Sequence, residues 1–295
     1  MTEKIVLATN GSVGSHVALD WVLERGRSMP LSLELVTVVD PGRGSAAVSS
    51  GSLRAAYERS VADVQRRVEQ EAPAMEVAVS IRSGSPGPEL LAASADADLL
   101  VVGTREPTGY FAGTLRHQLA AGARCPVAIV PANWKPRGGS VVTGVDDDVT
   151  SRLAMRYAAR EAERLGRELI VVHGWQVSAV LAAYWLSTGA NPIAEIRTAH
   201  REILDQSVQS IHAEHPGITV RDELARGSVS LALVDAAEGA ELLVVGTHRR
   251  GVVPGLLLGS VAHDVLTTLP CPIVVVPHPD EAPAHATSSS ASVTR

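Results

Sequence analysis

Apolar residues gather in short unbroken runs along this chain: KIVLAT (4–9), LSLELVTVV (31–39), DLLVVG (98–103) and PVAIVP (126–131) in the first half, ELLVVG (241–246) and PIVVVP (272–277) in the second. Runs of that length, most of them apolar rather than alternating, suit strands of a parallel sheet covered on both faces. Between them lie segments with helical spacing. In the first half the pattern predicts strands at 4–9, 31–39, 76–82, 98–103 and 126–130. Helices are predicted at 15–28, 54–71, 87–95 and 114–123, with a Gly/Ser-rich loop at 41–52. Strand–helix alternation joined by right-handed crossovers makes a doubly wound sheet of about five strands.

The same pattern is written twice. DLLVVGTREPTG (98–109) returns as ELLVVGTHRRGV (241–252), and RCPVAIVP (124–131) as PCPIVVVP (270–277). IVLATNGSVGSHVAL (5–19) corresponds to VVTGVDDDVTSRLAM (141–155). Block order is kept, with offsets of 136, 143 and 146 residues from first to last. The second copy therefore carries seven extra residues between its second and third strands, and three more in the loop after its fourth. Two α/β domains are expected, 1–132 and 140–278, joined by a Pro/Gly-rich linker at 133–139. Residues 279–295 are poor in apolar side chains and read as a disordered tail.

Composition narrows the function. The 295-residue chain is 45% apolar and 20% charged, ordinary for a soluble globular protein. A net charge of −6, with one Phe, four Tyr and four Trp, leaves neither a basic footprint nor a stacking platform for nucleic acid. No run approaches the ~18 apolar residues of a membrane span, and the N-terminus lacks signal-peptide character. The two cysteines, Cys125 and Cys271, are equivalent positions of the repeat. They read as small buried residues, and the cytoplasm is the expected setting.

In open α/β sheets ligands sit beyond the carboxyl ends of the strands, where strand order reverses. Three pieces of the second copy point there: Asp146 ends its first strand, Gly174 its second, and Gly246-Thr247-His248-Arg249-Arg250-Gly251 leads from the fourth towards Gly259-Ser260. Glycines let backbone amides approach phosphate oxygens, a helix N-terminus adds its unpaired N–H groups, and arginines add charge. Gly246 and Gly259 would also serve tight turns alone, but the basic loop that they flank favours the phosphate reading. Asp146-Asp147-Asp148 suits either a divalent ion beside phosphates or an N-capped helix start.

The spacing G-x-x-G-x9-G-S/T after a fourth strand resembles the ATP-binding signature of the universal stress protein family, and GLLLGSVAHDVLTTLPCPIVVVP (255–277) looks very like that family's ending. The resemblance runs from residue 4 to 277. It implies two tandem Rossmann-like domains, each a five-stranded parallel sheet of order 3-2-1-4-5, and an adenine nucleotide, ATP first, as a regulatory ligand, with Mg accompanying it. Carried over by position, it assigns Gly144, Val145 and Asp146 to adenine and ribose, and Gly174 to a backbone facing adenine. Val245, Gly246, His248, Gly259, Ser260 and Val261 fall on the phosphate side. Arg249 stands where the signature has its second glycine, and Gly251 lies two residues on.

The first copy departs further. Its counterpart residues are Ala8, Thr9, Asn10, Val38, Gly103, Arg105, Gly113 and Thr114. Asn10 replaces the acid, Glu106 stands where a phosphate would be repelled, and the loop is three residues shorter. A weaker site is expected there. A nucleotide-free interaction scaffold and a cyclic AMP receptor stay open as alternatives. The chain shows no nucleophile–base–acid constellation, so ATP turnover, if any, is slow. An unidentified protein partner is expected. The resemblance also implies pairing through the last strands, so that VAIVP and IVVVP make a pseudo-dimer inside one molecule; association of two chains stays open. His212 and His215 lack further ligands in register for a metal, His173 and His263 read as packing or capping residues, and Trp175, Tyr184 and Trp185 as a lid or an interface patch.

Overall fold

In the computed structural model the described residues are 2–40, 50–104, 114–188, 192–247 and 258–278. The first half runs β1 (Glu3–Ala8), α1 (Val13–Gly26), β2 (Leu31–Val39), α2 (Ser50–Glu71), β3 (Glu76–Ser83), α3 (Pro86–Ala93), β4 (Leu99–Gly103), α4 (Thr114–Gly122) and β5 (Val127–Val130). The second runs β6 (Val141–Gly144), α5 (Val149–Leu165), β7 (Leu169–Trp175), α6 (Ala179–Thr188), α7 (Ile193–Glu214), β8 (Val220–Arg226), α8 (Val229–Ala236), β9 (Leu242–Gly246), α9 (Ser260–Thr268) and β10 (Ile273–Val276).

All ten strands form one sheet, ordered β3-β2-β1-β4-β5-β10-β9-β6-β7-β8. Each half has the expected order 3-2-1-4-5, and all pairs within a half are parallel. The halves join by one antiparallel pair, β5 with β10, in which Ile129, Ala128 and Val127 face Ile273, Val274 and Val275. The two last-strand runs thus pair within the chain. No helix among the described residues is long and apolar enough to cross a membrane.

Helices cover both faces because their apolar stripes alternate sides. Val61, Val64 and Val68 of α2 recur at helical spacing and pack with α1, α5 and α7 on one face. Leu90 of α3, Leu119 of α4, Leu233 of α8 and Val265 of α9 pack on the other. The sheet between is dry: Ile5, Leu7, Val101, Ile129, Val171 and Val244 are fully buried.

Equivalent positions of the repeat meet where the halves join. Ala128 faces Val274 in the sheet. On one face Arg25 of α1 meets its counterpart Glu161 of α5, with Nη1–Oε2 at 2.6 Å. Beside it, Arg164 donates to its own counterpart, Ser28, at 2.5 Å. On the other face the rings of His117 and His263 lie 4.6 Å apart. These contacts trace a local two-fold axis through the molecule, and duplication has let its two sides differ in charge.

Two expectations need correction. The helix predicted from 54 begins at Ser50, so Gly51 and Ser52, read as loop, belong to its first turn, where such residues are tolerated. The stretch that carries Tyr184 and Trp185, for which no helix was predicted, contains α6. Its sequence, AVLAAYWLST, is apolar with no helical period, so it carried no amphipathic signal.

Candidate functional site

Strand order reverses between β1 and β4 in the first half and between β6 and β9 in the second, and a cleft opens at each point. The second cleft holds about 620 Å³ of empty space. Gly144, Val145 and Asp146 reach it from the end of β6, Gly174 from β7, and Val245 and Gly246 from β9; Gly259, Ser260 and Val261 reach it from the start of α9. Nine residues singled out from the sequence therefore converge. His248, Arg249 and Gly251 lie outside the described residues.

Local sequence explains how these groups are held. Asp148 caps α5: its Oδ1 accepts from the backbone N–H of Thr150 at 2.8 Å and of Ser151 at 3.0 Å. Ser151 Oγ donates in turn to Asp146 O at 2.6 Å, which fixes the turn after β6. Asp147 faces solvent and pairs with Arg152 at 3.2 Å. The acidic triplet is thus divided between cleft, surface and cap. Among the described residues no group of three or more His, Cys, Asp or Glu side chains is arranged to hold a metal ion.

The glycines have different reasons. A Cβ on Gly246 would meet the backbone of Thr150 at 2.8 Å, so this glycine lets β9 approach the start of α5 whatever the cleft contains. The space over Gly174 is taken by the side chain of Val229, which a Cβ would strike. Gly259 is the N-cap of α9, with extended backbone (φ −61°, ψ 153°) and no side-chain hydrogen bond to the helix. The starts of α1, α5 and α8 are each capped by a side chain, from Ser12, Asp148 and Ser228. Gly259 offers α9 no such cap beside this cleft, and helix N-termini favour anions.

The first cleft is the roomier, at about 850 Å³. Ala8, Thr9, Asn10, Val38 and Gly103 line it as expected, joined by Asp40 and Tyr57, which the sequence reading missed. Asn10 Oδ1 accepts from Ser12 N–H at 3.1 Å, so the residue in the acid position serves its own turn. Thr114 opens α4, but Leu115, not Thr114, lines the cleft. Arg105, Glu106 and Gly113 lie outside the described residues.

Other singled-out residues fall into place. Cys125 and Cys271 are buried free thiols, and burial pushes their pKa values up to about 11 and about 12. His215 Nδ1 lies 2.9 Å from Glu163, near the start of the turn that ends α7. Trp175 is buried while Tyr184 is exposed, so these two aromatics do not share a patch. His173 is buried, with Nδ1 2.7 Å from Val145 O and Nε2 2.8 Å from His200 Nδ1. His200 drew no attention in the sequence, since 27 residues separate the pair.

Comparison with known proteins agrees with this architecture. The profile of the Universal stress protein family matches residues 1–131 and again 139–277. A universal stress protein of Mycobacterium tuberculosis (strain ATCC 25618 / H37Rv) is 26% identical over 303 residues, covering 94% of this chain and 96% of the relative. Another from the same strain is 30% identical over 222 residues, or 71% of this chain and 73% of the relative. The crystal structure of a universal stress protein from Archaeoglobus fulgidus DSM 4304 superposes with a TM-score of 0.68 at 19% identity, covering 93% of this chain and 98% of that one, a likeness of fold.

Proposed function

Because this chain belongs to the universal stress protein family, we propose that it is a stress-response regulatory protein whose second half binds an adenine nucleotide, ATP first among them, as a regulatory ligand. The observation that carries this reading is the start of α9. Its N-cap is a glycine without a side-chain cap, beside a cleft that sits at a strand-order reversal. A phosphate there would accept from amides that Gly259 cannot cap. Ser260 adds a hydroxyl, and the sequence adds His248, Arg249 and Gly251 to the same side. Adenine and ribose would lie towards Gly144, Val145 and Asp146, against an apolar wall of Val229 and Leu233. Mg would enter with the phosphates. The bound nucleotide supplies charge and bulk at the rim, and the rim is what a protein partner would read.

Isothermal titration of ATP against wild type and Gly259→Asp tests the reading. The backbone at Gly259 suits an N-cap, so Asp should fold there and cap α9 with its own carboxylate, competing with a phosphate. The expected result is binding by wild type and little by the variant. Equal binding by both rejects the site. No binding by wild type, with a melting temperature indifferent to ATP, favours the nucleotide-free scaffold, for which the filling of Gly174 by Val229 speaks. Tighter competition by cyclic AMP than by ATP would replace the ligand and keep the cleft.

A further inference from the structure

In each half one side chain on the second strand holds the backbone carbonyl that leads into the cleft. In the first half Thr37 Oγ1 donates to Thr9 O at 2.8 Å. In the second, His173 Nδ1 lies 2.7 Å from Val145 O. Thr37 and His173 are equivalent in the repeat, and so are Thr9 and Val145. A carbonyl oxygen only accepts, so His173 carries its proton on Nδ1. Its Nε2 is then an acceptor, and His200 Nδ1, 2.8 Å away, is the donor. His200 lies on the inner stripe of α7 with Leu204 and Ile211. Its ring stacks on Trp175, with centroids 5.7 Å apart, and the Arg226 guanidinium also lies over Trp175, at 5.5 Å. Seven of the residues that the second half carries in excess of the first lie between β7 and β8, the stretch that includes α7.

Acid disturbs this order of donors in a defined way. A proton on His200 Nε2 leaves both bonds intact but places an imidazolium near Asp146. A proton on His173 Nε2 turns two N–H groups against each other and parts the rings. The charged groups around His200 are Asp146 from the end of β6, His173 from β7, Arg226 from β8 across Trp175, and Arg201 on α7 itself. Arg201 is held by Asp205 and Asp222. Burial first, then His173, disfavour the charged form of His200, while Asp146 favours it; the net shift is downward.

We propose that the His173–His200 pair is a pH-sensitive positioning element that ties α7 to the second cleft through the Val145 carbonyl and releases it in mild acid. The first half holds the same carbonyl with a hydroxyl that does not titrate there, so only the second cleft responds. The link rests on its own geometry; its effect on a ligand rests on the nucleotide reading above.

The test uses the full chain as wild type, His173→Thr and His200→Phe. His173→Thr copies the first half, keeping a donor for Val145 O and losing the link. His200→Phe keeps a ring on Trp175 without its nitrogens and leaves the His173 bond in place, so it reports even if the threonine variant folds poorly. Hydrogen exchange of α7 and tryptophan fluorescence are followed without ligand from pH 8 to 5. In wild type, exchange in the first turns of α7 should accelerate and fluorescence change as the pH falls from 8 to 5. Both variants should exchange fast throughout and show no such transition. A flat wild-type profile, or an equal transition in both variants, overturns the proposal. ATP affinity at pH 8 and 5.5 is read separately: it should fall about fivefold or more further in wild type than in His173→Thr, and identical falls would overturn the coupling to the cleft. Failure of any protein to bind ATP rejects the nucleotide reading, while exchange still decides the link.

Discussion

Replacing Arg25 by Met removes the cation at the centre of the joint between the halves. Arg25 and Glu161 are only 4% and 5% exposed, and Glu3 13%. The guanidinium donates to both oxygens of Glu161, at 2.6 and 2.8 Å, and to both of Glu3, at the same distances. Without it, Glu161 keeps only Arg164, at 2.8 Å. Stranding one member of a buried pair costs about 3–5 kcal/mol, which for a chain of this size lowers the melting temperature by roughly 6–20 °C. The variant Arg25→Met/Glu161→Leu removes the two most deeply buried charges, leaves Glu3 and Arg164, which are 13% and 15% exposed, and should recover part of that loss, since apolar replacement of a buried pair is often neutral. The cost should also depend on pH. Burial pushes the Glu161 carboxyl up, but Arg25 and Arg164 more than offset it, so its pKa lies below the ordinary value. A depressed carboxylate contributes stability above its unfolded pKa and loses it as pH falls through the folded one. Arg25→Met cancels much of that depression, so the gap between wild type and variant should narrow from pH 7 towards pH 3. Urea and thermal unfolding of the three proteins at both ends of that range provide the measurement. A single variant within ~1 kcal/mol of wild type at pH 7, or a double variant worse than the single, would refute the reasoning.

Three smaller predictions accompany it. Gly103→Ala drives a Cβ into the backbone carbonyl of Gly14 and should cost about 1–3 kcal/mol; Gly144→Ala meets only Leu233 Cδ1 at 3.2 Å and should cost clearly less, and melting temperatures in the reverse order would contradict this. Asp148→Ala uncaps α5 and should lose about 0.5–2 kcal/mol in urea unfolding, whereas an unchanged midpoint would mean that another group satisfies those amides. Cys125 and Cys271 should resist thiol reagents at pH 8 until the chain is unfolded, because burial holds their pKa values near 11 and 12; rapid labelling of native protein would show that the strands beside them open.

The sheet was legible because its strands include runs such as LLVV and IVVV that have no solvent face, and the family resemblance implied their order in each copy. Of the nine cleft residues, Asp146, Gly174, Gly246, Gly259 and Ser260 were legible because a strand-order reversal collects the ends of strands; Gly144, Val145, Val245 and Val261 came from the family resemblance. What escaped depends on distance in sequence. His173 and His200 face each other across a strand and a helix, and neither sits in a motif. Asp40 and Tyr57 reach the first cleft from β2 and α2, elements that the signature does not mention. The Arg25–Glu161 pair had a usable signal: its spacing of 136 equals the first offset of the repeat, as expected of side chains that meet on a two-fold axis. Helix α6 escaped because periodicity detects one-sided burial, and Val180 and Tyr184 are exposed despite being apolar.

The antiparallel pairing of β5 with β10 has a geometric consequence. Strands within a half are parallel, so the carboxyl ends of the two halves lie on opposite rims of one sheet. The clefts therefore look away from each other, four strand spacings apart, about 19 Å along the sheet. A flat partner can touch one mouth or the other, never both. The molecule is built like a double-ended socket, with its two mouths set on opposite rims of one sheet.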